Sequence, residues 1–310
     1  MLERELLERL RCPTCREGGL TQDAERNALQ CTLCGVSYPM SAGRPLLLRP
    51  DNVVFFPDRP VSVMPARSRF AQFVPSPSVN LSRNRTLQTM RGILDRRADC
   101  KILVVGSGRQ RVWLTPLMQT VRSHDLVYTD VNLEANADIF CDAHDLPFAD
   151  SAFDAVITTA VLEHVLYPER VTAEIVRALK PEGLLYSELP FMQQVHEGPY
   201  DFTRYTLSGH RRLFRQFAEL KSGMVAGPAT ALVWSIENFA LAFFAGRRSR
   251  LVTKAVVRLL FFWLKYFDHV LARRPEAFDG ASCTFFLGVR KTTPITDAEI
   301  VRGYIGARFP

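Results

Sequence analysis

The sequence predicts an α/β protein whose core is a doubly wound, mostly parallel sheet. Three observations lead to this fold class. From residue 101 to residue 190, apolar segments of strand length alternate with segments of helical period. A glycine pair, Gly106 and Gly108, follows the first of these strands, and acidic side chains close the next two. Because such sheets bind ligands beyond the carboxyl ends of their strands, we expect the functional residues there.

Composition and charge narrow the class of protein. The 310-residue chain is 47% hydrophobic and 23% charged, which is typical of a globular protein and excludes a disordered one. Its formal net charge of +7 is local, since residues 246–274 hold eight Lys or Arg residues against the single Asp268. No apolar signal segment follows Met1, so we expect a cytoplasmic protein, with peripheral contact at the inner membrane face as a further option.

The first element is a pair of Cys-x-x-Cys motifs separated by fifteen residues. Two intervening residues let both thiolates of a motif face one tetrahedral ion, and four thiolates leave that ion no open position. We therefore expect a structural zinc ribbon over residues 1–44, with the ligands Cys12, Cys15, Cys31 and Cys34. The segment "YPMSAGRPLLLRPD" at its end resembles the zinc ribbons of the Trm112-like family, the transfer-RNA methyltransferase activator subunits.

A proline-rich linker and an entry helix come next. Seven prolines interrupt residues 45–78, which are therefore predicted to run over the surface in extended pieces. Residues 80–97 place their apolar side chains near one helical face. They begin the main domain, which we assign to residues 79–292, and residues 293–310 form a C-terminal tail.

The main domain alternates strands and helices. Apolar runs predict strands at residues 101–106, 126–130, 137–142, 153–160, 184–190 and 281–291. Helical periods predict helices at residues 111–122, 169–183 and 207–217. Strands that are separated by helices in this way pair in parallel and carry helices on both faces of their sheet.

The strand ends indicate a nucleoside-containing cofactor. Asp130 closes the second strand about 20 residues after the glycine turn, a position suited to accepting hydrogen bonds from ribose hydroxyls. A nicotinamide dinucleotide and S-adenosylmethionine both satisfy this much. The residues that would meet a pyrophosphate distinguish the two cofactors. A dinucleotide site favours Gly-x-Gly-x-x-Gly, whereas this chain has Arg111 at the position of the third glycine.

Residues 101–190 resemble the class I S-adenosylmethionine-dependent methyltransferases of the type-11 group. The resemblance lies in "VVGSG", "YTDVN", "CDAHDLPFADSAFDAVI" and "LEHV". It implies a Rossmann-like sheet of seven strands in which Asp130 holds the ribose, while Asp142 and Ala143 flank the adenine. The implied cofactor-binding residues are Gly106, Ser107, Gly108, Asp130, Val131, Asp142, Ala143, Thr159 and Ala160. Two positions depart from the family's pattern, since Val104 replaces an acid and Gln110 replaces a third glycine.

In this fold the loops after the fourth and fifth strands cover the methyl group of S-adenosylmethionine. They carry the substrate-side candidates His164, His196, Glu197, Tyr200, Asp201, Arg204 and Tyr205. We expect His164 and His196 to be the catalytic residues, because a base can help an O or N nucleophile. The alternative is structural, with Asp201 and Arg204 forming an ion pair that locks the loop.

Residues 228–278 form an apolar, basic helical insertion before the last strand. Helical spacing leaves a broad apolar face and gathers the polar side chains in a narrow stripe that contains Lys254, Arg258, Lys265, Asp268 and His269. Residues 229–274 therefore suit a membrane surface, a pocket for an apolar substrate or a contact between two copies, and equally a plain helical cover for the sheet. Nucleic acid is a less favoured partner, since the positive charges alternate with bulky apolar residues.

These observations predict a zinc ribbon joined to an enzyme that transfers a methyl group from S-adenosylmethionine. The acceptor is expected to be an O, N or C nucleophile of a small-molecule or lipid-like compound. One alternative is a ribosomal or transfer-RNA methyltransferase whose ribbon helps to bind RNA through a basic, polar groove. The other is a non-catalytic binding or scaffold protein with a degenerate cofactor site.

Overall fold

The computed structural model describes residues 3–52, 54–55, 74–97, 99–118 and 126–307. Within these ranges the strands are β1 (Leu20–Asp23), β2 (Ala28–Cys31), β3 (Ser37–Ser41), β4 (Arg44–Leu47), β5 (Ile102–Val105), β6 (Leu126–Asp130), β7 (Ile139–Cys141), β8 (Phe153–Thr159), β9 (Leu179–Pro190), β10 (Phe217–Ala226) and β11 (Cys283–Arg290). The helices are α1 (Arg4–Arg9), α2 (Arg83–Leu94), α3 (Thr115–Met118), α4 (Pro168–Ala178), α5 (Leu207–Leu213), α6 (Pro228–Leu241), α7 (Arg247–Phe261), α8 (Asp268–Leu271) and α9 (Asp297–Arg302).

Strands β5 to β11 form the central sheet, in the order β7-β6-β5-β8-β9-β11-β10. β5 to β9 pair in parallel, whereas β11 pairs antiparallel with both β9 and β10. The predicted α/β class with a mostly parallel sheet is confirmed. The strand order reverses at β5, which lies between β6 and β8, so the turn that follows β5 lies where open parallel sheets bind ligands.

Helices cover both faces of the sheet. Alternate residues of β5 point to opposite faces, so Val104 packs with α2 and α3 while Val105 packs with α4. Helix α2 contributes Leu87 and Met90 to its face, and both are fully buried. The strands are apolar on both sides for this reason, as is typical of a parallel sheet enclosed by helices.

The four-cysteine segment extends the central sheet. β4 pairs in parallel with the edge strand β7, with Leu46 opposite Phe140, and β3, β2 and β1 continue the sheet beyond it. A bridge between Leu10 and Phe148 adds a second attachment. The boundary predicted after residue 44 therefore falls inside β4, because this strand completes the pairing of β7.

Some element ends differ from the predicted ones. The helix predicted over residues 169–183 ends at Ala178, because the chain already pairs with β8 from Leu179 onward. The helix predicted over residues 207–217 ends at Leu213, since Phe217 begins β10. Much of the predicted linker and the end of the helix predicted over 111–122 lie outside the described residues.

The helical insertion, which lies between β10 and β11, is held by a buried carboxylate. Asp268 accepts hydrogen bonds from the backbone N–H groups of Gly227, Ala229 and Thr230, at 3.0, 2.9 and 3.0 Å. It thereby pairs donors that the start of α6 leaves free and complements the helix dipole. A Cβ atom on Gly227 would lie 2.5 Å from Asp268 Oδ1, so this approach requires glycine.

Arg258, Lys265 and Asp268 of the polar stripe face inward, and most of the apolar face is exposed. Buried Glu237 of α6 forms ion pairs with Lys254 and Arg258 of α7, and buried Lys265 donates to the carbonyl of Ser76 at 2.7 Å. The apolar residues exposed along the segment that follows α6 include Leu251, Val252, Val256, Leu259, Leu260, Trp263 and Phe267. A helix that served only to cover the sheet would turn these side chains inward.

None of the helices in the described part of the chain combines the length and the hydropathy needed to cross a membrane.

Candidate cofactor and acceptor site

The turn after β5 depends on glycine at both of its predicted positions. Gly106 has φ of +72°, and a Cβ atom there would lie 2.1 Å from Val161 Cγ2. Gly108 has φ of +63° and nothing within 4 Å of the place where a Cβ would stand. Gly106 thus lets the chain pass under Val161, whereas Gly108 leaves open space beside the backbone. Ser107 lies between them, buried, and its hydroxyl donates to the carbonyl of Asn136 at 3.3 Å.

Asp130 ends β6 beside this turn. Its carboxylate accepts hydrogen bonds from the backbone N–H groups of Gly108 and Asn132, at 2.8 and 2.9 Å. Burial raises the pKa of Asp130, against the lowering effect of these donors. Each carboxylate oxygen has a second lone pair, so Asp130 retains acceptors for ribose hydroxyls.

Asp142 follows β7 and has three donors from the chain. It accepts from His144 N at 2.9 Å, from His144 Nδ1 at 2.6 Å and from Asn52 Nδ2 at 2.8 Å. Burial raises the pKa of Asp142, but these hydrogen bonds outweigh it and hold the pKa below its ordinary value. Asn52 was missed by the sequence analysis, because it lies in the predicted linker and only the pairing of β4 with β7 brings it here.

A cavity of about 200 Å³ adjoins Asp142. Its lining includes Asn52, Phe55, Tyr167 and Arg170, so it lies between the segment after β4 and the start of α4. The cavity offers aromatic rings and charged groups next to the carboxylate that the resemblance assigns to the adenine.

The predicted cofactor residues all follow neighbouring strand ends. Val131 and Ala143 come directly after Asp130 and Asp142, and both are partly exposed. Thr159 ends β8, and Ala160 takes a positive φ of 55° while its N–H donates to the carbonyl of Glu188 at 3.1 Å. An open glycine turn, an acid with spare acceptors and a second acid one strand further fit an adenosine-type cofactor.

The loops after β8 and β9 bring His164 and His196 side by side. Their ring centroids are 4.9 Å apart, in an edge-to-face arrangement. His164 closes the 3-10 turn Leu162–His164 after β8, whereas His196 belongs to the loop after β9. Burial lowers the pKa of both imidazoles below the ordinary value, so both are neutral at pH 7.

Glu163 is a buried acid between these elements that the sequence analysis did not single out. It is 1% exposed, and neither of its carboxylate oxygens has a hydrogen-bond partner among the described residues. Burial raises its pKa to about 8. Its only signal in the sequence is its place in "LEHV", directly after a buried strand.

The remaining substrate-side candidates are mostly structural in their contacts. Asp201 and Arg204 form an ion pair, as the structural alternative predicted. Burial raises the pKa of Asp201, but the hydrogen bonds from Arg204 outweigh it and bring the pKa down to about 2. Arg204 also donates to the carbonyls of Gln193 and Gln194. Tyr205 packs against the main hydrophobic core.

Glu197 and Tyr200 belong to the same loop. Glu197 is partly buried, which raises its pKa. Tyr200 accepts a hydrogen bond from His164 Nδ1 through its carbonyl, at 2.7 Å, and stacks its ring on Phe55 at 6.0 Å. The loop after β9 is therefore held both to the turn after β8 and to the segment after β4.

The four cysteines of the N-terminal segment lie close together. Cys12 Sγ lies 3.6 Å from Cys34 Sγ, and Cys15 Sγ lies 3.6 Å from Cys31 Sγ. Sulfurs bound at about 2.3 Å to a tetrahedral ion are about 3.8 Å apart, so the spacing fits such an ion. A Cβ on Gly18 would lie 2.3 Å from Cys31 Sγ, and Gly18 N–H donates to Cys15 Sγ at 3.3 Å. Glycine thus lets the backbone approach the sulfurs.

The chain is similar to known proteins in two separate parts. Residues 103–187 match the family described as a methyltransferase domain, Methyltransf_11. The N-terminal part is 42% identical over 50 residues to a UPF0434 protein of Vibrio cholerae serotype O1, an alignment that covers 16% of this chain and 83% of that protein.

Two solved structures are among those to which the chain is similar. One is a methyltransferase in a complex with the Trm112 methyltransferase activator of Haloferax volcanii, at 18% identity and a TM-score of 0.41, covering 69% of this chain and 96% of that one. The other is an S-adenosylmethionine-dependent methyltransferase from Archaeoglobus fulgidus, at 14% identity and a TM-score of 0.40, covering 67% of this chain and 95% of that one.

The family match spans β5, β6, β7 and β8 with their strand-end residues and reaches into β9, so the glycine turn and both acids belong to the matched region. The chain therefore contains an S-adenosylmethionine-dependent methyltransferase domain, and its N-terminal segment belongs to the UPF0434 family.

Proposed function

We propose that this methyltransferase acts on a lipid-like acceptor at the surface of an anionic membrane. The single observation that carries the proposal is the helical insertion, which buries Glu237, Lys265 and Asp268 and leaves many bulky apolar side chains exposed. Large exposed apolar surfaces mark interaction sites, because a water-soluble surface seldom leaves so many bulky side chains unpaired.

The exposed side chains suit the boundary between lipid headgroups and acyl chains. Trp263, Phe267 and Phe239 are 50%, 53% and 70% exposed, and the aliphatic Leu260 is 60% exposed. They come from α6, from α7 and from the segment after α7, and exposed aromatic and aliphatic residues of this kind are typical of segments that lie in a membrane interface.

Basic side chains lie at both ends of this apolar region. Arg247, Arg248 and Arg250 begin α7, and Arg273 and Arg274 follow α8, all of them exposed. Each basic residue near an anionic membrane surface contributes about 1 kcal/mol to binding. The net charge of the chain is thus concentrated where it would help the apolar face to dock.

The insertion touches the loop that carries His196. The Trp234 ring of α6 lies 6.5 Å from the His196 ring, and Gln194 Nε2 donates to Ser235 Oγ at 3.0 Å. Helix α6 is therefore a wall between the apolar surface and the acceptor side of the site. An acceptor with an apolar tail would have a short path from one to the other.

S-adenosylmethionine supplies an electrophilic methyl group when it is bound. Among the residues of the chain, the glycine turn would admit the methionine portion, Asp130 would accept hydrogen bonds from the ribose, and Asp142 would face the adenine. The rigid loop that Asp201 and Arg204 hold would orient the acceptor, since methyl transfer depends on in-line approach. We also propose that the four cysteines hold one zinc ion, a role that their sulfur spacing supports.

A vesicle flotation assay with the full chain tests the acceptor proposal. We expect the protein to float with vesicles that contain anionic phospholipid and to float less at high salt. Leu259→Glu should abolish flotation, whereas Val301→Glu, at an apolar position of α9 that is more exposed still, should not. The same vesicles should gain label from S-adenosylmethionine that carries a labelled methyl group.

Two outcomes would contradict the proposal. One is a chain that stays in solution with anionic vesicles. The other is labelling of RNA in place of the lipid fraction, which would favour the RNA methyltransferase alternative.

A further inference from the structure

We propose that Glu163, His164 and His196 bind one divalent transition-metal ion of the zinc class beside the acceptor. One carboxylate oxygen and one nitrogen of each imidazole lie within 4.8 Å of one another. Glu163 Oε1 and His164 Nε2 are 3.8 Å apart. Ligands about 2.0–2.2 Å from a common ion stand roughly 3–4 Å apart, so a small closing movement of the side chains suffices.

Both imidazoles are oriented as metal ligands are. His164 Nδ1 lies 2.7 Å from the carbonyl oxygen of Tyr200, and His196 Nδ1 lies 3.3 Å from that of Gln194. A carbonyl oxygen only accepts, so each Nδ1 carries the proton and each Nε2 presents a lone pair. Metal-binding histidines are commonly held in this way through their second nitrogen.

A carboxylate supports His196 from behind. Asp201 Oδ2 lies 3.4 Å from His196 Nδ1 and accepts the backbone N–H of His196 at 2.8 Å. Arg204 binds the same carboxylate and anchors the loop. The arrangement of a carboxylate, a histidine and a metal is a recurring one in metalloproteins, where the carboxylate fixes the ring and makes it a better ligand.

Glu163 supplies the independent observation. Its carboxyl group is 1% exposed and has no hydrogen-bond partner for either oxygen among the described residues, which makes its burial unfavourable. Nearby Arg204 does not hydrogen-bond these oxygens, and it is already paired with Asp201. A metal ion next to the imidazoles would pair the orphaned oxygens and offset the cost of burial.

The donor set selects the ion and its coordination. Two imidazoles and one carboxylate are typical ligands of zinc and of related first-row divalent metals, whereas magnesium and calcium favour oxygen alone. Three protein ligands leave a position open, unlike the closed four-cysteine set. We assign that open position to an oxygen of the methyl acceptor, and this assignment alone rests on the proposed function.

Elemental analysis of the full chain, prepared with zinc and freed of loose metal by gel filtration, tests the site. We expect about two zinc ions per wild-type chain, one of them at the cysteines, and about one in Glu163→Gln and in His196→Gln. Glu169→Gln, the same change at an exposed position of α4, should keep both. In cobalt-substituted protein, thiolate-to-cobalt charge transfer should persist in Glu163→Gln while the cobalt content falls by one.

The result that overturns the site is one zinc per wild-type chain and the same content in Glu163→Gln. A higher Tm of Glu163→Gln with unchanged zinc would overturn it as well, since it would show a buried neutral acid. Failure of vesicle binding would leave the zinc count unaffected, so the metal site and the lipid-like acceptor are tested separately.

Discussion

The carboxyl edge of the sheet and the helical insertion use buried acids differently. At the sheet edge, Asp130 takes two backbone donors and keeps acceptors for a ligand. In the insertion, Asp268 takes three backbone donors and is fully buried. The first acid is placed for binding, and the second holds the start of α6 to the start of α8. Removing each acid should therefore affect a different measurement.

Asp268→Ala should have the largest effect. The change leaves the N–H groups of Gly227, Ala229 and Thr230 without their acceptor at a buried helix start. We expect it to lower the free energy of unfolding by about 3 kcal/mol or more, measured by urea denaturation. Asp297→Ala, at the exposed start of α9, should cost less than about 1 kcal/mol. Equal effects of the two changes would mean that Asp268 does not hold the insertion.

Asp130→Ala should weaken cofactor binding with a smaller effect on stability. Loss of charge-assisted hydrogen bonds to ribose is worth about 2 kcal/mol, or roughly a 30-fold increase in the Kd for S-adenosylmethionine. Calorimetric titration measures it. Asp150→Ala, an exposed acid, should bind as the wild type does. An unchanged Kd for Asp130→Ala would remove the ribose assignment and favour the degenerate-site alternative.

His210 is a third buried polar group, and unlike the two acids it must be neutral. It is fully buried between Ser187 Oγ and Thr284 Oγ1, each at 3.1 Å, and burial lowers its pKa to about 3. The unfolded chain binds a proton below about pH 6.5 that the folded chain does not take up until about pH 3. His210 therefore costs no stability above about pH 6.5 and lowers stability progressively as the pH falls from there towards 3.

The measurement is the free energy of unfolding at several pH values. At about one pH unit below 6.5, His210 lowers the free energy of unfolding by about 1.4 kcal/mol. His210→Gln should flatten this part of the pH dependence, whatever it costs at pH 7. An unaltered slope between about pH 6.5 and 4 would show that His210 titrates normally in the folded chain.

The cofactor edge could be predicted from the sequence because its geometry is local. A turn that requires positive φ calls for glycine at Gly106 and Gly108, and an acid at a strand end is visible as the end of an apolar run. Asn52 and Glu163 could not be identified in this way. Asn52 reaches Asp142 only through the pairing of β4 with β7, and the isolation of Glu163 depends on which groups surround it in the folded chain.

The insertion shows a different limit of sequence reasoning. Helical spacing correctly separates a polar stripe from an apolar face, but spacing does not determine which face is buried. Here the charge of Glu237 on a neighbouring helix and the backbone donors at the start of α6 draw the polar stripe inward. A contact between two consecutive helices thus decides the orientation of α7.

The parallel pairing of β4 with β7 has a consequence for assembly of the fold. Without β4, β7 would be an open edge with unpaired N–H and C=O groups, and such edges recruit strands from other molecules. The cysteine-bearing segment is synthesised about ninety residues before the strand that it shields. β4 is therefore available to pair with β7 as soon as β7 is synthesised, and this pairing protects the edge from aggregation. Truncation before residue 48 would expose this edge as well as remove the cysteines.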